Sequence, residues 1–195
     1  MTDFKTEHGL GNRIQAARKV RGIRTAADLA AAIPGGKVTE AIIQNIEAGR
    51  KTDITVSQLL NIAFAIRIPP IYLLAALGDP EAKLDLANLS DDLTDMTPAE
   101  LDAWINGSTD GAYRWKTVQE RSERAQLDAF REYQQLLAER TRLRAIAEIE
   151  KNDALTESQL SEQTWETTQD RIDNTQRRIS QITEYLGSAG WQLKV

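Results

Sequence analysis

Gln44 and Asn45 carry side-chain amides, the group that can hydrogen-bond bidentately to the edge of an adenine. With Glu40 and Ala41 they fall on one side of a helix, and Ile43 and Ile46 fall on the other. A carboxylate among them, Glu40, is repelled by phosphates. It belongs near a duplex only where it meets a donor such as cytosine N4 or a neighbouring arginine. Thr25, Lys37, Thr39, Arg50 and Lys51 sit at helix ends, where hydroxyl and cationic groups hold phosphates and fix register. Most catalytic chemistry lacks its groups. The chain has no Cys and one His, His8, so thiol nucleophiles, thiolate metal sites and histidine acid–base catalysis have little to stand on.

Short helices must position these residues. Apolar Leu10, Ile14, Ala17 and Val20 recur at helical spacing, and Gly22 stops that first helix. Thr25 caps Ala26–Ile33, with Asp28 at the third helical position. Pro34-Gly35-Gly36 breaks the chain before Thr39 caps Glu40–Ala48, and Gly49 ends it. Ser57 serves as cap for a fourth helix carrying Leu59, Leu60, Ile62, Ala63 and Ile66. Pro69 and Pro70 precede a fifth at Tyr72-Leu73-Leu74. The small Ala30 allows the second and third helices to cross closely.

Residues 9–75 resemble the Cro/CI-type (XRE) helix-turn-helix family. The resemblance rests on Leu10, Arg13-Ile14, Arg18, Gly22-Ile23, Leu29-Ala30, Val38-Thr39, Ile43, Ile46-Glu47 and Gly49-Arg50 in order, followed by 59–65 and 70–74. It implies a five-helix lambda-repressor-like domain whose third helix enters a DNA major groove. It also implies an internal ion pair between Arg18 and Glu47. The DNA-binding set is then Arg24, Thr25, Lys37, Thr39, Glu40, Ala41, Gln44, Asn45, Arg50 and Lys51. Two departures stand out. The turn Pro34-Gly35-Gly36-Lys37 is longer than is usual in the family, and Ala26 stands where a DNA-contacting glutamine is common, a role left to Arg24 or Lys37.

Charge divides the chain, whose net value is -5. Residues 1–77 carry 10 Lys/Arg against 6 Asp/Glu, residues 78–112 carry 1 against 9, and residues 113–195 carry 13 against 14. A basic DNA-binding domain (1–77), an acidic connector (78–111) and a balanced C-terminal part (112–195) follow. Thr97-Pro98 opens a helix in the connector, with Leu101, Trp104 and Ile105 as its buried stripe. Asp91, Asp92 and Asp95 read as a solvated acidic segment rather than a cation site.

From about Ala112 to Lys151 there is no Gly or Pro, Asn152-Asp153 marks a turn, and Thr156 opens a second long helix to about Leu186. Its seam is Trp165, Thr168, Ile172, Thr175, Ile179, Ile182 and Leu186, an a/d pattern. The first long helix offers Trp115, Val118, Leu127, Phe130, Leu137, Leu143, Ile146 and Ile149. The two form a coiled-coil-like helical hairpin suited to homodimerisation or to a protein partner. Trp104, Trp115 and Trp165 read as core rather than base-stacking groups, and Trp191 stays open. Arg140, Arg142 and Arg144, flanked by Glu139, Glu148 and Glu150, read as a solvated helix face.

The fold expectation is therefore all-α. The functional one is a cytoplasmic, non-enzymatic transcriptional repressor of temperate phage or prophage type, without cofactor, metal or membrane span. It would occlude a double-stranded DNA operator. Two alternatives remain open: an antitoxin-like regulator whose C-terminal helices bind a partner, and a monomeric repressor whose C-terminal helices add a second DNA contact.

Overall fold

The computed structural model describes residues 3–154 and 167–193, and over these the chain is all-α, with no strand. The helices are α1 (Leu10–Val20), α2 (Ala26–Ala32), α3 (Glu40–Glu47), α4 (Val56–Ile66), α5 (Ile71–Leu74), α6 (Asp91–Thr94), α7 (Pro98–Asn106), α8 (Val118–Ala154) and α9 (Thr168–Ser188). Two compact units result. One runs to Asn106 and adds Asp110–Arg114, and the other joins Gly107–Thr109 to the chain from Trp115 onward.

Local chemistry sets the helix ends. Thr25 and Asp28 form a reciprocal capping box on α2, Thr55 and Gln58 do so on α4, and Thr167 and Asp170 on α9. The α4 cap is thus Thr55 rather than Ser57, whose hydroxyl lies 3.0 Å from that of Thr55. Thr97 and Glu100 cap α7 in the same reciprocal way. Pro34–Gly36 forms a single 3₁₀ turn in which Gly35 and Gly36 both take positive φ.

The first unit closes over Ile14, Ala17, Leu29, Ile33, Val38, Ile43, Ile46, Ile62, Ile66 and Leu73, all nearly or fully buried. A second cluster joins Ala75, Leu84 and Leu101, with Leu74, Leu77, Leu89 and Met96 packed against it. The acidic stretch therefore folds onto the end of the five short helices. Only part of the expected α7 stripe is buried. Leu101 is, whereas Trp104 is 42% and Ile105 47% exposed, and the buried position beside them is Ala103.

Arg13 explains the attachment. Its side chain is fully buried, and Nη1 and Nη2 each donate to Asp85 at 2.7 Å. Nε donates to the Leu73 carbonyl at 2.8 Å and Nη2 also to that of Leu74. Asp85 further accepts from the Gly9 N–H. Burial disfavours the Asp85 carboxylate. The bonds from Arg13 and Gly9 outweigh that penalty and hold its carboxyl below the ordinary carboxylate value.

In the second unit α8 and α9 run antiparallel. Tyr133, Ile179, Ile182 and Leu186 are buried against one another, with Phe130, Leu136, Leu137 and Trp191 beside them. Cross-helix pairs follow the same register: Arg178 to Glu132 at 2.6 Å, and Arg171 to Glu139 at 3.1 Å. The α9 seam appears at Thr175, Ile179, Ile182 and Leu186, while Trp165 and Thr156 lie outside the described residues. The first long helix starts at Val118 rather than near Ala112 and passes through Asn152-Asp153. Thr117 and Glu120 fix that start, as both the Lys116 and Thr117 N–H groups donate to Glu120. Trp115 consequently precedes α8, and Val118 and Ile149 are 75% and 62% exposed. Trp191 packs on Phe130 and donates to Gln126 at 2.9 Å.

Asp85→Ala strands a fully buried guanidinium, and a loss of about 3–5 kcal/mol is expected in urea unfolding. The sign with pH follows from the lowered carboxyl value. The pair's stabilisation is complete above the unfolded-state carboxylate value of about 3.9 and is lost as pH falls through the lower folded-state value. Asp85→Asn is expected to flatten that acid limb, and an unchanged limb would show that Arg13 does not depend on this carboxylate.

Candidate nucleic-acid interface

On α3, Ile43 and Ile46 are buried, at 0% and 1% exposure, and the helix turns Glu40, Ala41 and Gln44 outward. Asn45 is half-buried at the edge of that face. Thr39 caps the helix by accepting from the Ile42 N–H, and Arg50 and Lys51 follow its end. Arg24 and Thr25 are exposed just before α2, and Lys37 is exposed on the turn between α2 and α3. All ten expected residues therefore lie on α3, at its two ends or at the start of α2.

Two bonds organise the amides. The Gln44 amide donates to the Glu40 carboxylate at 2.8 Å, one helical turn away. Glu40 thus meets a donor within its own helix rather than requiring a base or an arginine. The Asn45 carbonyl accepts from Arg50 Nε at 2.9 Å, and the Lys51 N–H closes onto the Asn45 main-chain oxygen at 2.9 Å. Asn45 keeps its two amide donors, and Arg50 keeps the terminal nitrogens of its guanidinium. The Thr25 hydroxyl is occupied in capping: it accepts from the Asp28 N–H at 3.0 Å. The exposed Asp28 carboxyl, bonded in turn by Thr25, is held below its usual value.

The orientation of α3 comes from beneath. Arg18 is 5% exposed, and its Nε and Nη2 donate to the two oxygens of Glu47 at 2.6 and 2.8 Å. Its remaining nitrogen donates to the carbonyls of Ile23 and Arg24, in the turn that opens α2. The bond to Glu47 raises the Arg18 value against the opposing effect of burial. One guanidinium therefore joins α1, the entry of α2 and the end of α3, as the resemblance implies for this pair.

Gly11 is the second control, and it is missing from the sequence-derived set. A Cβ on it would lie 2.2 Å from the Ile46 carbonyl oxygen and 3.1 Å from Glu47 Cα. The end of α3 therefore rests directly on the backbone of α1. The only sequence signal is a glycine inside an otherwise helical apolar pattern, which marks close approach.

Two arginines of the α8 strip have partners within the second unit. Arg140, half-buried, donates to Gln176 at 2.8 Å, and Arg142 lies 4.0 Å from Glu139. Among the described residues no group of three or more His, Asp or Glu is arranged to hold a metal, and no helix is long and apolar enough to cross a membrane. No family model, curated protein or solved structure matches the chain.

Gly11→Ala ordinarily stabilises a helix by about 1 kcal/mol. Here it is expected to destabilise, because a backbone carbonyl occupies the space of the new methyl. Glu47→Ala is expected to cost about 3–5 kcal/mol by stranding Arg18, while Gln44→Ala on the exposed face stays within about 0.5 kcal/mol. Urea midpoints of the three variants check the ranking. A Gly11→Ala protein at or above the parent's stability would contradict the close approach.

Proposed function

We propose that the chain is a sequence-specific double-stranded DNA-binding repressor that acts by occluding an operator. The observation that carries this reading is the two-sided character of α3. Its apolar side is fully buried at Ile43 and Ile46, and its other side offers Ala41, Gln44 and Asn45 with cations at both ends. A rigidly seated helix of this width, polar on one face, matches the dimensions and donor–acceptor code of a major groove. The resemblance of residues 9–75 to Cro/CI-type helix-turn-helix regulators points the same way.

The roles follow from the bonds described above. Gln44 leaves Glu40 to pair with a base edge, or reads it with Glu40 holding the amide in orientation. Asn45 presents its amide donors while Arg50 fixes its carbonyl. Arg24, Lys37, Arg50 and Lys51 bind phosphates, with Thr25 and Thr39 beside them at the helix starts. Occlusion requires no covalent step, only residence on a promoter. Since phosphate contacts release counterions, affinity falls with salt. The acidic segment does not oppose this as one block, because Asp85 is neutralised by Arg13 and Asp95 lies 3.1 Å from Lys83.

Selection from a random duplex pool tests the reading. The full chain is required, because a fragment ending at residue 77 would lose Asp85 and expose Arg13. Enrichment of a defined site is expected, and no enrichment at low salt would overturn the proposal. On the selected site, Gln44→Ala and Asn45→Ala are each expected to cost about 1–3 kcal/mol and to relax preference at one or two positions. Lys37→Ala is expected to weaken all sequences alike and to reduce the salt slope by about 1.

A further inference from the structure

Helix α4 carries an apolar stripe that the core does not use. Val56 is 73%, Leu60 50% and Phe64 83% exposed. Spaced by four residues, they form one line about 12 Å long beside the buried Leu59, Ile62, Ala63 and Ile66. Single exposed apolar residues need no explanation, but three in register on one helix mark a contact surface. By contrast, Ile179, Ile182 and Leu186 of the α9 seam pack against α8 of the same chain.

We infer that this stripe pairs with the same stripe of a second copy of the chain, the two α4 helices crossing antiparallel about a two-fold axis at Leu60. Three observations favour a second copy as the occupant. The stripe is self-complementary about its centre: Leu60 meets Leu60, and the Val56 of each copy meets the Phe64 of the other. Helix α4 has no charged residue in its 11 positions, so pairing buries no like charges. Beyond its ends, charges of opposite sign stand seven residues to either side of Leu60: Asp53 before the helix, one of whose oxygens accepts from Asn88 at 2.8 Å, and Arg67 after it, both exposed. The antiparallel register brings the Arg67 of one copy to the Asp53 of the other. Arg67 closes α4 in the left-handed conformation, at φ 60°, and with Ala63, Phe64 and Ile68 lines a shallow groove that receives the other copy's Val56.

Three apolar side chains per copy are far fewer than the roughly 20–30 residues a side of a stable interface. The pairing is therefore weak between free chains and gains strength when two copies share one duplex, where the second contact is intramolecular. The pairing itself does not rest on the DNA-binding reading, although this consequence of it does.

The absence of cysteine allows a direct test on the full chain without DNA. Leu60→Cys puts the two thiols on the symmetry axis, within disulfide reach if the helices pair. Ala32→Cys, exposed on α2, is the control for random collision. Under mild oxidation, disulfide-linked dimer is expected to form about tenfold faster from Leu60→Cys than from the control. Adding Phe64→Asp should remove the excess. Adding Arg67→Glu should reduce it, and Asp53→Arg together with Arg67→Glu should restore it. Equal rates for Leu60→Cys and the control would overturn the inference, whether the stripe is covered by another protein or by another part of the chain. A fast Leu60→Cys reaction that the charge swap fails to restore would overturn the antiparallel register. Since no step uses DNA, failure here and failure of duplex selection are separately visible.

Discussion

A single guanidinium, that of Arg18, decides how the surface proposed to face DNA is built. Desolvating it is costly, and the cost is met only because every side of the group is bonded: two nitrogens to Glu47, the third to the carbonyls of Ile23 and Arg24. Lysine could not do this, since an ammonium has no planar fork to engage a carboxylate and two carbonyls together. The pair contributes directional constraint more than net stability. It leaves the end of α3 one position relative to α1 and ties the entry of α2 to the same point. The near-contact of Gly11 with the Ile46 carbonyl removes the remaining freedom.

The same helix repeats the device at its other end. Arg13, five residues earlier, binds Asp85 and the carbonyls of Leu73 and Leu74. Where Arg18 organises α2 and α3, Arg13 gathers the end of α5 and the acidic stretch. Helix α1 thus works through two buried cations, with Ile14 and Ala17 filling the core between them. The acidic composition of residues 78–112 acquires a structural meaning. At least one of its carboxylates is the counter-charge that allows an arginine to be buried.

What was legible in the sequence is what is local. Thr25, Thr39 and Thr97 mark helix starts, whereas the caps Thr55, Thr117 and Thr167 are passed over in favour of Ser57, Ala112 and Thr156. Glycines mark stops, and the apolar positions of α3 divide that helix into its two faces without reference to the rest of the chain. The pairing of Arg18 with Glu47 was legible only through family resemblance. The pairing of Arg13 with Asp85 was not, because a partner 72 residues away leaves no periodic trace. The Glu40–Gln44 bond lies at ordinary i,i+4 spacing, yet the helix face alone does not say whether Glu40 turns to a neighbour or outward. In the long helices the apolar period marks α9 from Thr175 to Leu186, but the helix begins at Thr168 behind the cap Thr167 rather than at Thr156. In α8 it passed over Tyr133, which is 2% exposed, and counted Val118 and Ile149, which are not buried. A helix that buries only part of its length shows no consistent period over the whole of it.

Periodicity alone does not say which apolar lines are already paired. The most regular apolar repeat in the chain, that of α9, packs on α8 as the hairpin reading expects. The repeat on α4 is shorter, and most of the apolar residues of that helix serve the core, so the three that do not are hidden among them in the sequence. Only exposure separates the two cases, because burial tells which apolar lines have already been paired. Phe64 at 83% exposed and Ile179 at 0% are equally apolar in sequence. The first retains the hydrophobic free energy that the second has already given to folding, and a surface with that free energy still available is the one on which a contact between copies can be built.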